Sequence, residues 1–253
     1  MPSSLIVGIL ILAGLIGISV IPKFGEMFSN IILLVLFLFA VPNLDAKLGN
    51  YYSIMIISVF ILEFVAIFFK ITTADTSSAL GKANPILAIM IGLITGGIIF
   101  TIFSLLQSRS SASIIGVPSL ALTLPAQFSP ALVGALGFVE NRFFINLWYI
   151  SKSILGKVFI SVLSLIPIIG QLVVALSMIL APVLPVFMIA GLFAVFHLTA
   201  YSGQVASLIF AMIAGIIFIF STAITGSTLG ADIGHYLWNF TISLGKSLTI
   251  VGG

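Results

Sequence analysis

Long apolar segments dominate this chain and leave only short polar connections between them. An α-helix needs about 20 residues to cross the hydrocarbon core of a membrane, and most of the segments approach that length. The chain is 61% hydrophobic and 6% charged, whereas soluble domains carry about 25% charged residues. This composition excludes an ordinary soluble domain. It predicts an all-α fold, a polytopic bundle of transmembrane helices.

The apolar segments predict nine membrane spans, or eight with one re-entrant or interfacial helix. Segment 5–21 has no basic stretch before it and no small-residue cleavage pattern after it, so we interpret it as a retained span. The short connections predict a single integral membrane domain over residues 1–253, in a multi-pass protein of the cell membrane. The approximate span bounds are 5–21, 27–42, 52–69, 85–106, 129–150, 158–181, 183–200, 204–223 and 227–250.

Cysteine content and charge exclude several classes of site and partner. The chain has no cysteine, which excludes disulfides and thiolate metal sites. Its nine basic residues are scattered, the net charge is only +3, and no basic patch is present. The sequence therefore predicts no nucleic-acid partner.

Four polar residues lie inside apolar, helix-like sequence: Glu140, His197, His235 and Asn239. An ionisable group at membrane depth costs roughly 2.5–3.5 kcal/mol on insertion scales, so such residues are functional candidates. The chain has two histidines in total, and both belong to this set.

The last predicted helix carries a polar face. His235 and Asn239 are four residues apart, and Asp232 precedes His235 by three, so the three side chains share one side of the helix. Asp232 is predicted either to accept a proton from the imidazole and fix its tautomer, or to lie at the wet end of the helix, where the dipole favours an acid. Gly230 and Gly234 are predicted to let other helices approach His235 closely.

Glu140 needs a partner other than the nearest cation. Arg142 is two residues away and points to nearly the opposite side of a helix, so a direct pair is geometrically poor. We expect Arg142 to snorkel to an interface. The histidines are then the natural partners of Glu140. Phe193 lies one turn before His197, so its ring can stack against that imidazole.

The motifs Phe193-x-x-x-His197 and His235-x-x-x-Asn239, with a small-residue helix between them, resemble those of the CPBP family. This family contains type II CAAX prenyl endopeptidases and bacteriocin-immunity-like membrane proteins. The resemblance covers roughly residues 134–243 and divides the chain into N-terminal helices, 1–128, and a CPBP-like core, 129–250. The family's first motif, Glu-Glu-x-x-x-Arg, is degenerate here: Asn141 follows Glu140, and Ile145 stands in the arginine position.

The resemblance implies a membrane-embedded endopeptidase. Glu140 and His197 would activate a water molecule, while His235 and Asn239 would donate hydrogen bonds to the developing oxyanion. Asp232, Asn141 and Phe193 are the predicted supporting residues. The expected mechanism needs no metal, although Glu140, His197 and His235 could also hold zinc with one open position.

Two other classes of function stay open from the sequence. The degenerate first motif favours a catalytically inactive scaffold, or a subunit of a membrane complex. Intramembrane Glu and His would also suit a transporter or proton relay. The expected partners are membrane lipids together with a peptide or membrane-protein substrate, or else partner subunits.

Overall fold

The computed structural model describes residues 2–21, 25–40, 46–68, 84–109, 128–163, 170–198 and 205–251. This part of the chain forms eight α-helices and contains no β-strand, which confirms the prediction of an all-α fold. The helices are α1 (Pro2–Ser19), α2 (Gly25–Ala40), α3 (Ala46–Phe68), α4 (Pro85–Arg109), α5 (Ser129–Leu163), α6 (Gly170–Phe196), α7 (Val205–Thr225) and α8 (Leu229–Val251).

Two predicted helix breaks are wrong. Residues 151–157 were expected to connect two spans, but α5 continues through them to Leu163. The charged residues Lys152 and Lys157 favoured a connection between two spans, but lysine is also a good helix former. The break expected near Pro182 lies inside α6, which runs on to Phe196. Prolines are tolerated inside such apolar helices when neighbouring groups satisfy the freed carbonyls.

Helices α5 and α8 form the centre of the fold. Helix α5 packs against α1, α2, α3, α6, α7 and α8, and helix α8 packs against α1, α4, α5 and α7. Every residue in 130–142 and in 228–236 is buried. A helix that is buried on all sides belongs to the core. The polar residues on these two stretches therefore lie in the interior of the protein.

Glycines allow the central helices to approach closely. A Cβ on Gly137 of α5 would lie 2.9 Å from Cγ of His235, and one on Gly234 of α8 would lie 2.6 Å from Cγ2 of Thr95 on α4. Contacts this short leave no room for a side chain. The predicted close approach around His235 is therefore confirmed, and it involves α4 on one side and α5 on the other.

A tight turn joins α7 to α8. Gly226 has a φ of 66°, in the left-handed region that glycine adopts without a Cβ clash. Its amide donates to the Thr222 carbonyl at 2.8 Å, which closes the end of α7. Helix α8 begins only three residues later, at Leu229.

Two stretches of the described residues are long and apolar enough to cross a membrane, Pro85–Leu106 and Val205–Thr225. Four further apolar helices are shorter: Ser3–Ser19, Phe28–Leu38, Tyr52–Leu62 and Val183–Phe196. Length and composition of two helices give weak support for a membrane location.

Candidate active site

Glu140, His197 and His235 meet in one buried cluster. Glu140 lies on α5, His197 in the turn after α6, and His235 on α8. Oε2 of Glu140 is 3.4 Å from Nε2 of His197 and 3.5 Å from Nε2 of His235. The side chains of Glu140 and His235 are 3% and 4% exposed, whereas that of His197 is 12% exposed. His197 is therefore the least buried of the three side chains.

The second ring nitrogen of each histidine is held by an acceptor. Nδ1 of His197 lies 2.7 Å from the carbonyl oxygen of Phe193, and Nδ1 of His235 lies 3.0 Å from Oδ1 of Asn141. Both partner oxygens can only accept, so Nδ1 carries the proton in each neutral ring. Each Nε2 then presents a lone pair to Glu140. Such a cluster is stabilised when a proton lies between the carboxylate and an imidazole, which suits general acid–base chemistry.

The other oxygen of Glu140 has a partner that the sequence analysis missed. The Tyr52 hydroxyl, from α3, donates a hydrogen bond to Oε1 of Glu140. Tyr52 is buried. The available signal was its phenol in an apolar segment, because a buried tyrosine hydroxyl usually has a hydrogen-bond partner.

Aromatic rings enclose both imidazoles. Phe193 packs against His197 with ring centroids 4.5 Å apart, which confirms the expected contact, and it also lies 5.8 Å from the His235 ring. Phe218 of α7 stacks on His235 at 4.6 Å and 20°. These rings pack around the two imidazoles and give the cluster apolar surroundings.

Asn239 lies apart from the Glu140 cluster. Its Nδ2 is 3.4 Å from the carbonyl oxygen of Val133. Val133 precedes Glu140 on α5 by roughly two helical turns. In this conformation the carboxamide is used to join α8 to the backbone of α5.

Arg142 and Asp232 form a buried ion pair, and this corrects two expectations. Nε of Arg142 is 3.2 Å from Oδ2 of Asp232, and the two side chains are 2% and 0% exposed. Arg142 therefore does not snorkel to an interface, because a carboxylate in the interior compensates its charge. Asp232 does not lie at a wet helix end, although it is in the first turn of α8. The acceptor found on His235 Nδ1 is Asn141, whereas Asp232 pairs with Arg142.

Further polar groups complete the surroundings of this ion pair. The hydroxyl of Thr228 donates to Oδ2 of Asp232 at 3.1 Å. Arg142 donates to Oγ of Ser29 at 2.6 Å and to Oδ1 of Asn30, both on α2, and its Nη2 lies 3.4 Å from Oγ of Ser19 on α1. The pair thus ties α1, α2, α5 and α8 together next to the Glu140 cluster.

Among the residues that the structure describes, no group of three or more His, Cys, Asp or Glu side chains is arranged to hold a metal ion. The alternative with Glu140, His197 and His235 as zinc ligands is therefore not supported by the arrangement of these residues.

Comparisons with known proteins leave the family open. No family model matches the chain, and neither does any curated protein or solved structure. The fold and site define an all-α protein with a Glu–His–His cluster at its centre. The resemblance to the CPBP family stays a prediction.

Proposed function

We propose that this chain is a CPBP-like, membrane-embedded endopeptidase in which Glu140 and His197 activate a water molecule. The observation that carries the proposal is the contact of one buried carboxylate with two imidazoles from separate elements of the fold. Ordinary packing offers no reason to bring three ionisable groups together in an apolar interior. A general base held by hydrogen-bonding partners does require such an arrangement.

In the proposed reaction, a water molecule binds beside Oε2 of Glu140 and Nε2 of His197. Its proton passes to this pair as its oxygen attacks the carbonyl carbon of a peptide bond. The same proton then passes to the nitrogen of the leaving amine as the carbon–nitrogen bond breaks. Glu140 and His197 thus act first as base and then as acid, and they return to their starting state.

His235 and Asn239 are proposed to stabilise the oxyanion of the tetrahedral intermediate. The neutral His235 ring carries its proton on Nδ1, toward Asn141. Its Nε2 can therefore donate to the oxyanion only when the ring is an imidazolium. Asn239 can donate through Nδ2 once this nitrogen leaves the Val133 carbonyl.

We also propose that the helices form a multi-pass bundle in the cell membrane. Large apolar side chains are exposed along the outside of the fold, among them Leu10 (65%), Ile57 (57%) and Leu93 (56%) near the middle of α1, α3 and α4. Soluble monomers rarely expose contiguous apolar patches of more than a few hundred Å². Lipid chains are the natural solvent for such a surface. The substrate would be a peptide or a segment of a membrane protein.

The test is proteolysis by purified protein in lipid nanodiscs. A solubilised membrane-protein fraction serves as substrate, and new N-termini are counted by mass spectrometry. Glu140→Gln is expected to abolish the new N-termini and leave the fold intact, because the amide has the same shape but cannot act as a base. Glu63→Gln, the same change on α3, serves as the matched control and is expected to keep them.

A catalytically inactive scaffold, or a subunit of a membrane complex, is the second candidate. Burial of the cluster favours it, because the side chains of Glu140 and His235 are only 3% and 4% exposed. The buried Ile145 also stands where the CPBP motif has an arginine. Equal numbers of new N-termini from Glu140→Gln and the parent protein would establish this second candidate in place of the endopeptidase.

A further inference from the structure

Tyr52 joins α3 to the Glu140 cluster through its hydroxyl group. Its hydroxyl donates to Oε1 of Glu140, and its side chain is buried, with the residue 3% exposed. The two oxygens of the carboxylate are therefore not equivalent. Oε1 is engaged by the phenol, while Oε2 faces both imidazoles.

The ring of Tyr52 is held in place by aromatic neighbours. It packs against Phe37 of α2 at a centroid distance of 5.8 Å and edge-on against Phe196 of α6 at 6.3 Å. Phe196 directly precedes His197, and the rings of these two residues are 5.4 Å apart. Tyr52 thus touches the carboxylate of Glu140 and the residue next to its imidazole partner.

The geometry points to Tyr52 as a positioning residue for the proposed reaction: its hydroxyl fixes the Glu140 carboxylate so that Oε2 alone serves as the base. The inference rests on the proposed function. The terminal torsion of a glutamate is broad and roughly two-fold, so packing alone does not select one oxygen. Oε2 faces Nε2 of His197 at 3.4 Å and Nε2 of His235 at 3.5 Å. It is thus the oxygen beside which the proposed water molecule binds.

Tyr52→Phe removes the hydroxyl and keeps the ring. We expect kcat to fall on the order of 100-fold with KM unchanged, because misplacing a catalytic group by about 1 Å has an effect of this size. Tyr236→Phe is the matched control. Tyr236 is equally buried, and its hydroxyl donates to the Gly8 carbonyl at 2.8 Å, away from Glu140. This control is expected to keep the kcat of the parent protein.

An infrared readout makes the inference independent of turnover. The difference spectrum between the parent protein and Glu140→Gln identifies the carboxyl bands of Glu140. These bands are expected to shift in Tyr52→Phe, because one oxygen loses its hydrogen bond, and to stay in place in Tyr236→Phe. Unshifted bands in Tyr52→Phe would overturn the inference.

Two further outcomes separate the inference from the proposed function. Shifted bands with an unchanged kcat would overturn the positioning role, since the hydrogen bond would exist without serving the reaction. A parent protein that cleaves nothing would overturn the endopeptidase itself, whereas the band shift would still support the contact between Tyr52 and Glu140.

Discussion

At the scale of single residues, the position of the proton on the His235 ring determines whether Nε2 accepts or donates a hydrogen bond. Asn141 holds Nδ1 through its amide oxygen at 3.0 Å. This bond leaves Nε2 unprotonated in the neutral ring and directs its lone pair toward Glu140. The carboxamide of Asn141 sets the tautomer without adding a second negative charge beside Glu140.

Asn141→Leu is expected to remove the preference of neutral His235 for a proton on Nδ1. Without the Asn141 oxygen, Nδ1 loses the acceptor that lies 3.0 Å away, and the neutral ring can carry its proton on either nitrogen. Nitrogen-15 NMR of histidine-labelled protein distinguishes the two tautomers, and the chain has only two histidines to assign. The parent protein is expected to show neutral His235 protonated on Nδ1. The variant is expected to show a mixture of two neutral tautomers, one protonated on Nδ1 and one on Nε2.

Asn239→Leu makes the same change four residues after His235 and serves as the control. The amide of Asn239 bonds to the Val133 carbonyl, so the histidine signals are expected to stay those of the parent. A His235 signal that is the same in Asn141→Leu as in the parent would show that another group sets the tautomer.

The sequence made some of these residues recognisable and hid others. Glu140, His197 and His235 stand out because ionisable groups are expensive in apolar segments. The partnership of Arg142 with Asp232 is not visible locally, because it joins α5 to α8 across a long stretch of chain. Tyr52 is hidden for a different reason: tyrosine is common in apolar helices, and only the fold shows which carboxylate its hydroxyl meets.

At the scale of elements, the site depends on how closely α5 packs against α8. A Cβ on Gly134 would lie 2.8 Å from the Tyr236 ring, and one on Gly137 would lie 2.9 Å from the His235 ring. The rings of His235 and Tyr236 on α8 thus each rest on a glycine of α5. The spacing of the small residues on α8 predicted that other helices pack closely against them. The sequence did not predict the partner glycines on α5, because spacing within one helix does not reveal which other helix packs against it.

Gly137→Ala is expected to be destabilising by about 1–3 kcal/mol, the usual cost of overpacking a core. Its methyl group would push the His235 ring away from Glu140, so the proposed proteolysis should fall as well. Unfolding in mild detergent measures the first effect, and the N-terminus assay measures the second.

Gly156→Ala, on the same helix, is the matched control. A Cβ there meets nothing within 4 Å, so the substitution should stabilise α5 by roughly 0.5–1 kcal/mol through helix propensity alone. A Gly137→Ala protein as stable and active as Gly156→Ala would show that the two helices can separate without loss.

At the scale of the whole molecule, the fold buries polar groups inside and exposes apolar groups outside. The Glu140 cluster and the Arg142–Asp232 pair lie at the centre, while leucine, isoleucine and phenylalanine side chains cover much of the surface. Composition alone predicted helices throughout, because apolar segments of this length have few other folds. It wrongly placed helix ends within residues 151–157 and near Pro182, where lysines and prolines imitate loop signals.

Spin labels are expected to report lipid around the middle of the bundle. The chain has no cysteine, so single cysteines at Leu10, Ile57 and Leu93 can be labelled without background. In lipid vesicles these labels should collide with oxygen, which dissolves in lipid, and not with a water-soluble nickel complex. Lys157→Cys, at an exposed position near the end of α5, should show the opposite preference. Nickel access at all four sites would contradict the multi-pass bundle.

The length of α5 has a practical consequence. Its 35 residues extend about 52 Å at 1.5 Å per residue, whereas roughly 20 residues suffice to cross the hydrocarbon. If the bundle spans a bilayer, the end of α5 that carries Lys152 and Lys157 would project beyond the hydrocarbon. An antibody fragment, a fluorophore or an affinity tag attached there could report on this molecule in membranes without touching the buried cluster, which lies about three to five helical turns away.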